Sequence, residues 1–187
     1  MDDPQIRLGR FWWIAVVRGI FSLILGGAVL FTSNDRAMLA NFLGAYWLLS
    51  GLLTLRWAVT VRWLQGSRVG LAAGSASVVA AVLVLLRQPL QHLISPGTLI
   101  DVLGVAAVLM GSLRLFGAFE IERRTGRRWT FGGLALGSIE VVLGVILFFT
   151  QEGNVRVLTI ALAVWGLIGG SLLLIEGYRL RRLAHLG

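Results

Sequence analysis

The sequence contains no cysteine and no lysine, and it has only two histidines, three prolines and nine acidic residues. Without cysteine there is no disulfide framework, no cysteine-based zinc site and no thiol nucleophile. Histidine is confined to His92 and His185, with no acidic cluster beside either. No metal site is therefore expected, and no serine, histidine and acid arrangement can be assembled. No strand is predicted, so no glycine loop follows one to cradle a phosphate. Enzymatic activity and a bound cofactor are not expected. Charge is scarce as well: 14% of the 187 residues are charged and 57% are hydrophobic, for a mean hydropathy of +0.83. A soluble domain of this length does not need to be so apolar, and the expected solvent is a lipid bilayer.

All 17 basic residues are arginine, and the formal net charge is +8. On one folded surface that excess would suggest nucleic acid. Here the arginines cluster between long apolar runs, as in loops resting on an anionic cytoplasmic leaflet, so no nucleic-acid partner is expected. The first apolar run follows Arg7 and Arg10, as a signal peptide would. It is too long for one and lacks a small-x-small cleavage site near its end, and it reads as a retained span.

A spanning helix needs about 20 mostly apolar residues. Six stretches qualify: Phe11 to Thr32, Ala37 to Leu55, Val69 to Leu86, Thr98 to Phe119, Phe131 to Thr150 and Val155 to Tyr178. Their connections alternate between weakly charged turns, as at Ser33 to Arg36 and Gln151 to Asn154, and arginine-rich ones, Arg62 to Arg68 and Glu120 to Arg128. One side collects Arg7, Arg10, Arg62, Arg68, Arg123, Arg124, Arg127, Arg128, Arg179, Arg181 and Arg182; the other has Arg36, Arg87 and Arg156. The positive-inside rule then places the N-terminus, both long connections and the C-terminus in the cytoplasm. Trp12, Trp13, Trp57, Trp63 and Trp129 fall near cytoplasmic span ends, where an amphipathic ring suits the headgroup layer.

The chain also repeats itself. Spans one, three and five carry small residues seven apart, at Gly19 and Gly26, Gly74 and Ala81, Gly137 and Gly144. Spans two, four and six do the same at Gly44 and Gly51, Gly104 and Gly111, Ala163 and Gly170. Seven residues return a helix to within about 20° of the same face, so each span has one smooth seam for close helix packing. Two GxxxG matches, Gly70 to Gly74 and Gly133 to Gly137, add to this. The fold class read from the sequence is an all-α integral membrane protein, with six transmembrane helices forming three parallel-topology helical-hairpin repeats. They form one membrane domain over 1–187, with repeats at about 11–63, 69–122 and 131–182. Parallel repeats differ from the inverted repeats of many secondary transporters.

The run Trp13 to Ile20 with Gly26 one heptad later, and the return Phe42-Leu43-Gly44-Ala45-Tyr46-Trp47-Leu48-Leu49-Ser50-Gly51, resemble the first repeat of HdeD-type proteins. The resemblance extends through all three hairpins. It implies a small six-span bacterial inner-membrane protein associated with acid resistance, and it carries no catalytic residues over. Such repeats usually have proline near the outer turn. Only the second hairpin has it here, at Pro89 and Pro96.

Charges inside the spans need a reason, because one at the bilayer centre costs at least about 2.5–3.5 kcal/mol on insertion scales. Glu140 lies near the middle of span five and aligns in repeat register with Ser22 and Ser77. Arg18 sits one turn nearer the cytoplasm in span one and is a plausible salt-bridge partner; Arg114 is the competing one. Two readings of Glu140 are open: a proton-sensitive switch, or a protonated carboxyl or static ion pair that locks helix register. Arg18, Arg56 and Arg114 are all within snorkelling reach of the cytoplasmic headgroups. Asp101, near the outer end of span four, is expected to cap a helix N-terminus, with an outer proton-accepting site as the alternative. Glu176 is expected to pair with Arg179, Arg181 or Arg182, and His92 to be a solvated turn residue. The functional expectation is a non-enzymatic protein of acid or envelope stress tolerance. The alternatives are an accessory subunit of a larger membrane complex and a small solute or lipid transporter. The expected surroundings are the lipid bilayer, with a homo-oligomer or larger complex open.

Overall fold

A computed structural model of the chain describes residues 11–31, 36–60, 67–90, 96–125, 131–149 and 155–184, and nearly all of them are helical. The elements are α1 (Trp12–Phe31), α2 (Arg36–Thr60), α3 (Ser67–Leu85), the short α4 (Arg87–Leu90), α5 (Pro96–Thr125), α6 (Phe131–Phe149) and α7 (Val155–Ala184). Helix is what lipid demands, since it satisfies every backbone polar group within the segment. Four segments are long and apolar enough to cross a membrane, Trp12–Phe31, Met38–Thr60, Ser67–Leu85 and Thr159–Arg182. Shorter apolar stretches, Gly104–Gly117 and Gly137–Ile146, lie within α5 and α6. The chain is thus an all-helical, multi-pass membrane protein, with no strand among the described residues.

Three helices outrun the apolar stretches that announce them. α2 continues past Leu55 to Thr60, α5 past Phe119 to Thr125 and α7 past Tyr178 to Ala184. Hydropathy marks where lipid is, whereas a helix stops only where its hydrogen bonding stops, and arginine is a good helix former. The link between α3 and α5, read as a plain turn from the sequence, contains α4. Pro89 sits in the first turn of α4 and Pro96 opens α5, positions where a missing N–H costs no helical bond.

The long helices form a closed ring in the order α1, α2, α3, α5, α6, α7. Contacts around it alternate. The extensive interfaces are α2 with α3, α5 with α6, and α7 with α1, and the interfaces between them are slighter. Each extensive pair is antiparallel and glycine-lined. Gly19 faces Gly170 and Gly26 faces Gly166; Gly51 faces Gly74; Gly111 faces Gly137 and Gly104 faces Gly144. At Gly166 an added Cβ would stand 2.6 Å from the Gly26 Cα, and at Gly144 it would stand 2.6 Å from the Val108 nitrogen. Both obstacles are backbone, so neither can yield without parting the helices. Because lipid is as apolar as leucine, such close packing, not burial, holds the pairs together.

Large apolar side chains face outward, Phe31 (93% exposed), Phe149 and Phe116 most fully. The interior is layered. Towards the ends of α1, α3 and α6 and the starts of α2 and α7 it is a dry cluster of Val29, Leu39, Leu43, Val84, Leu143 and Leu162. Against it Tyr46 and Trp165 meet edge to face, centroids 4.4 Å apart. One to two turns nearer the arginine-rich helix ends the buried residues include Ser22, Ser50, Ser77 and Glu140. The arginine-rich ends are tied by cation–π contacts. Arg56 lies 5.3 Å from the Trp13 ring centre, and Arg181 lies 5.1 Å from that of Trp12.

Gly166→Ala is expected to lower the thermal stability of the purified protein by about 1–3 kcal/mol, the usual cost of overpacking, although alanine favours helix by about 1 kcal/mol. A methyl group added at Gly27 would meet nothing within 4 Å, so Gly27→Ala is expected to be neutral or stabilising. Equal melting shifts for the two variants in detergent would contradict the backbone contact.

Candidate functional site: a buried arginine and glutamate cluster

Glu140 stands on the buried face of α6, three residues beyond Gly137. That spacing puts it just past the point where Gly137 and Gly111 bring α5 and α6 together. Arg114 lies one turn from the same contact on α5, displaced the opposite way along the antiparallel pair, and its long side chain spans that offset. Its Nη1 lies 2.8 Å from Glu140 Oε1, and its Nη2 donates to Ser50 Oγ on α2 at 2.9 Å. One guanidinium thus ties three helices. The Ser50 backbone carbonyl also accepts from Thr54 Oγ1 at 2.7 Å. The Glu140 side chain is 3% exposed and that of Arg114 is 18% exposed, so the pair is sheltered but has an edge near the surface.

Arg18 on α1 joins the same cluster. It lies within electrostatic range of Glu140, Arg114 and Tyr46, yet it forms no ion pair among the described residues and its buried Nε has no hydrogen-bond partner. The Tyr46 hydroxyl lies beside both guanidinium groups without reaching hydrogen-bond geometry to either. Glu140 Oε2 is likewise unpartnered. Two cations, one carboxylate and a phenol from α1, α5, α6 and α2 therefore meet inside the ring.

Ser22 and Ser77, which the sequence register aligns with Glu140, are neutral and hydrogen-bonded. Ser22 Oγ donates to the Gly166 carbonyl on α7 at 3.1 Å. Ser77 Oγ lies 2.8 Å from both the Ala73 carbonyl and the Met110 sulfur. α1 and α3 thus carry a satisfied hydroxyl, whereas α6 carries a carboxylate that needs a cation.

Several expectations change here. Arg114, not Arg18, is the direct partner of Glu140. Arg114 does not snorkel but turns inward, because a carboxylate in an apolar bundle attracts a guanidinium more strongly than headgroups one turn away. Arg56 does reach outward, over Trp13. Asp101 stands beyond the first turn of α5, which contains no acidic residue, so it is too far along to cap that helix. Its side chain lies outside the described residues. Asn41, which the sequence register sets against Asp101, accepts from Arg87 Nη1 at 2.6 Å. His92, His185, Trp63, Trp129, Arg7, Arg10 and Arg62 also lie outside the described residues. Among those described, no group of three or more histidine, aspartate or glutamate side chains can hold a metal ion.

Tyr46, Ser50 and Gly166 were not picked out as site or seam residues. Gly166 had a signal, as it begins a further GxxxG with Gly170. Tyr46 and Ser50 lie four apart on one helical face, but nothing in the sequence sets that face against Arg114. No family model, curated protein or solved structure matches the chain.

Arg114→Gln strands a buried carboxylate and is expected to cost about 3–5 kcal/mol of stability, while Glu140→Gln, which keeps an acceptor for Arg114, costs less. The double variant is expected to be more stable than the sum of the two losses predicts, by roughly 0.5–3 kcal/mol. Additive losses in a detergent unfolding cycle would mean that the two side chains do not interact.

Proposed function

We propose that the chain is an HdeD-like, six-span protein of a bacterial cytoplasmic membrane that helps the cell tolerate acid by exchanging a proton at Glu140. The observation that carries this reading is the state of the carboxylate. It is buried in an otherwise apolar helix, with one oxygen against Arg114 and the other without a partner. A carboxylate used only as a lock would be expected to have both oxygens engaged.

Three parallel-topology hairpin repeats account for the alternation around the ring. Each extensive pair joins the second helix of one repeat to the first helix of the next, and α7 with α1 closes the circle. The aligned residues Ser22, Ser77 and Glu140 all lie buried within that circle, as such a repeat requires. Cytoplasmic termini are supported by the arginine and tryptophan contacts gathered at one set of helix ends.

The geometry supports the following cycle. With Glu140 ionised, Arg114 is held between it and Ser50, and α5, α6 and α2 are tied together. When the cytoplasm acidifies, a proton on Glu140 removes the charge that holds Arg114. The guanidinium is then free to leave, while the glycine contacts of α5 with α6 keep the helices together. The result is a local change of state in an intact bundle.

Glu140→Gln is expected to reduce survival of acid challenge in cells that depend on this protein, with the variant still inserted and at wild-type abundance. Unchanged survival at equal abundance would remove Glu140 from the function.

A further inference from the structure

We propose that Arg18, Arg114 and Tyr46 form a binding site for a small monovalent inorganic anion of the chloride class, inside the helix ring and beside Glu140. Charge points there first. Arg18 and Arg114 face one carboxylate, and no second carboxylate pairs with Arg18 among the described residues. A single positive charge is left over in the membrane interior, where an uncompensated ion costs several kcal/mol. Rotating Arg18 onto the free Glu140 oxygen would satisfy a hydrogen bond and leave that charge unchanged. Water would satisfy donors and leave it unchanged too.

The donor set points to the same place. The buried Arg18 Nε and the Tyr46 hydroxyl, the latter on a residue 1% exposed, have no acceptor. Tyr46 lies close to both guanidinium groups, so the unspent donors converge from α1 and α2 beside the guanidinium that α5 supplies. Donors without acceptors around a surplus positive charge describe an anion site. The occupant is small because the surroundings are close-packed. Tyr46 is pinned edge to face on Trp165, and Glu140 sits beside the glycine contact of α5 with α6.

The site rests in part on the proton exchange proposed for Glu140. The charged groups facing that carboxylate are Arg114 from α5 and Arg18 from α1, with the Tyr46 hydroxyl from α2. From α3 and α7 the described neighbours in this layer, Ser77 and Trp165, are uncharged. A carboxylate repels an arriving anion and competes for Arg114. A protonated Glu140 does neither, so proton and anion bind together, with reciprocal coupling.

The test is thermal unfolding of the purified full-length protein in detergent at constant ionic strength, with chloride, bromide or nitrate exchanged for gluconate or sulfate. Chloride, bromide and nitrate are expected to raise the midpoint saturably, as ligands of the folded state do. Gluconate and sulfate are expected not to. Glu140→Gln is expected to lower the half-saturating chloride concentration by about tenfold or more, since it removes one like charge a few ångströms away. In the wild type, half-saturation is expected to fall as pH falls, and in Glu140→Gln to be independent of pH. Arg18→Gln is expected to abolish the chloride effect. If that variant does not fold, Tyr46→Phe removes a single donor and is expected to weaken chloride binding severalfold. Midpoints that ignore anion identity in both wild type and Glu140→Gln overturn the site, as does chloride dependence unchanged in Arg18→Gln or Tyr46→Phe. Anion binding with unchanged acid survival in Glu140→Gln would keep the site and refute the acid-tolerance role. The reverse result would refute only the site.

Discussion

Helices in lipid gain nothing by hiding leucine from a solvent that is itself hydrocarbon, so they associate where their backbones can touch. In this chain that happens where glycine meets glycine, as at Gly26 against Gly166 and Gly104 against Gly144. Three such pairs fix the ring, and the slighter interfaces follow from the ring closing. One of the slighter interfaces, α6 with α7, leaves an apolar cleft of about 290 Å³ lined by Ile139, Val142, Val164 and Trp165. The contrast between seam and cleft in one bundle shows how far small residues decide which faces meet.

The charge cluster depends on that architecture. Arg114 reaches Glu140 because Gly111 and Gly137 hold α5 and α6 in contact one turn away. A wider spacing would leave a carboxylate and a guanidinium in the bilayer without each other, each at a cost of several kcal/mol. Arg18 enters from α1, a helix anchored on the far side of the ring by its own glycine contacts with α7. The three charges thus come from two different glycine-lined pairs. They respond together only while the ring is closed, which makes the cluster a property of the whole bundle and not of one hairpin.

Much of this was legible in the sequence, for physical reasons. Long apolar runs identify helices in lipid, and glycines seven apart identify the faces on which they pack. Glu140 stood out because a carboxylate in an apolar run has no cheap explanation. What the sequence did not carry was pairing. Glycine seams say that each helix has a smooth face, but they do not say which helix receives it. The hairpins read as the repeating unit turn out to be joined less extensively within themselves than to their neighbours. The partner of Glu140 is open in the sequence for the same reason, since either Arg18 or Arg114 could face it until the order of the ring is known. Tyr46 and Ser50 carry no sequence signal of a place in the charge cluster, because a tyrosine and a serine in an apolar span gain one only when arginines lie beside them. Asp101 misled because the start of α5 lies further from it than the apolar pattern suggested.

For the cluster to act as proposed, Glu140 must be ionised when paired with Arg114 and must take up a proton as the medium acidifies. Infrared difference spectroscopy of the protein in lipid, with Glu140→Gln as the reference, reads that directly. A carboxylate band at neutral pH that converts to a protonated carbonyl band on acidification, absent from the variant, is the predicted result. A carbonyl band at every pH, or a carboxylate band that never converts, would contradict it.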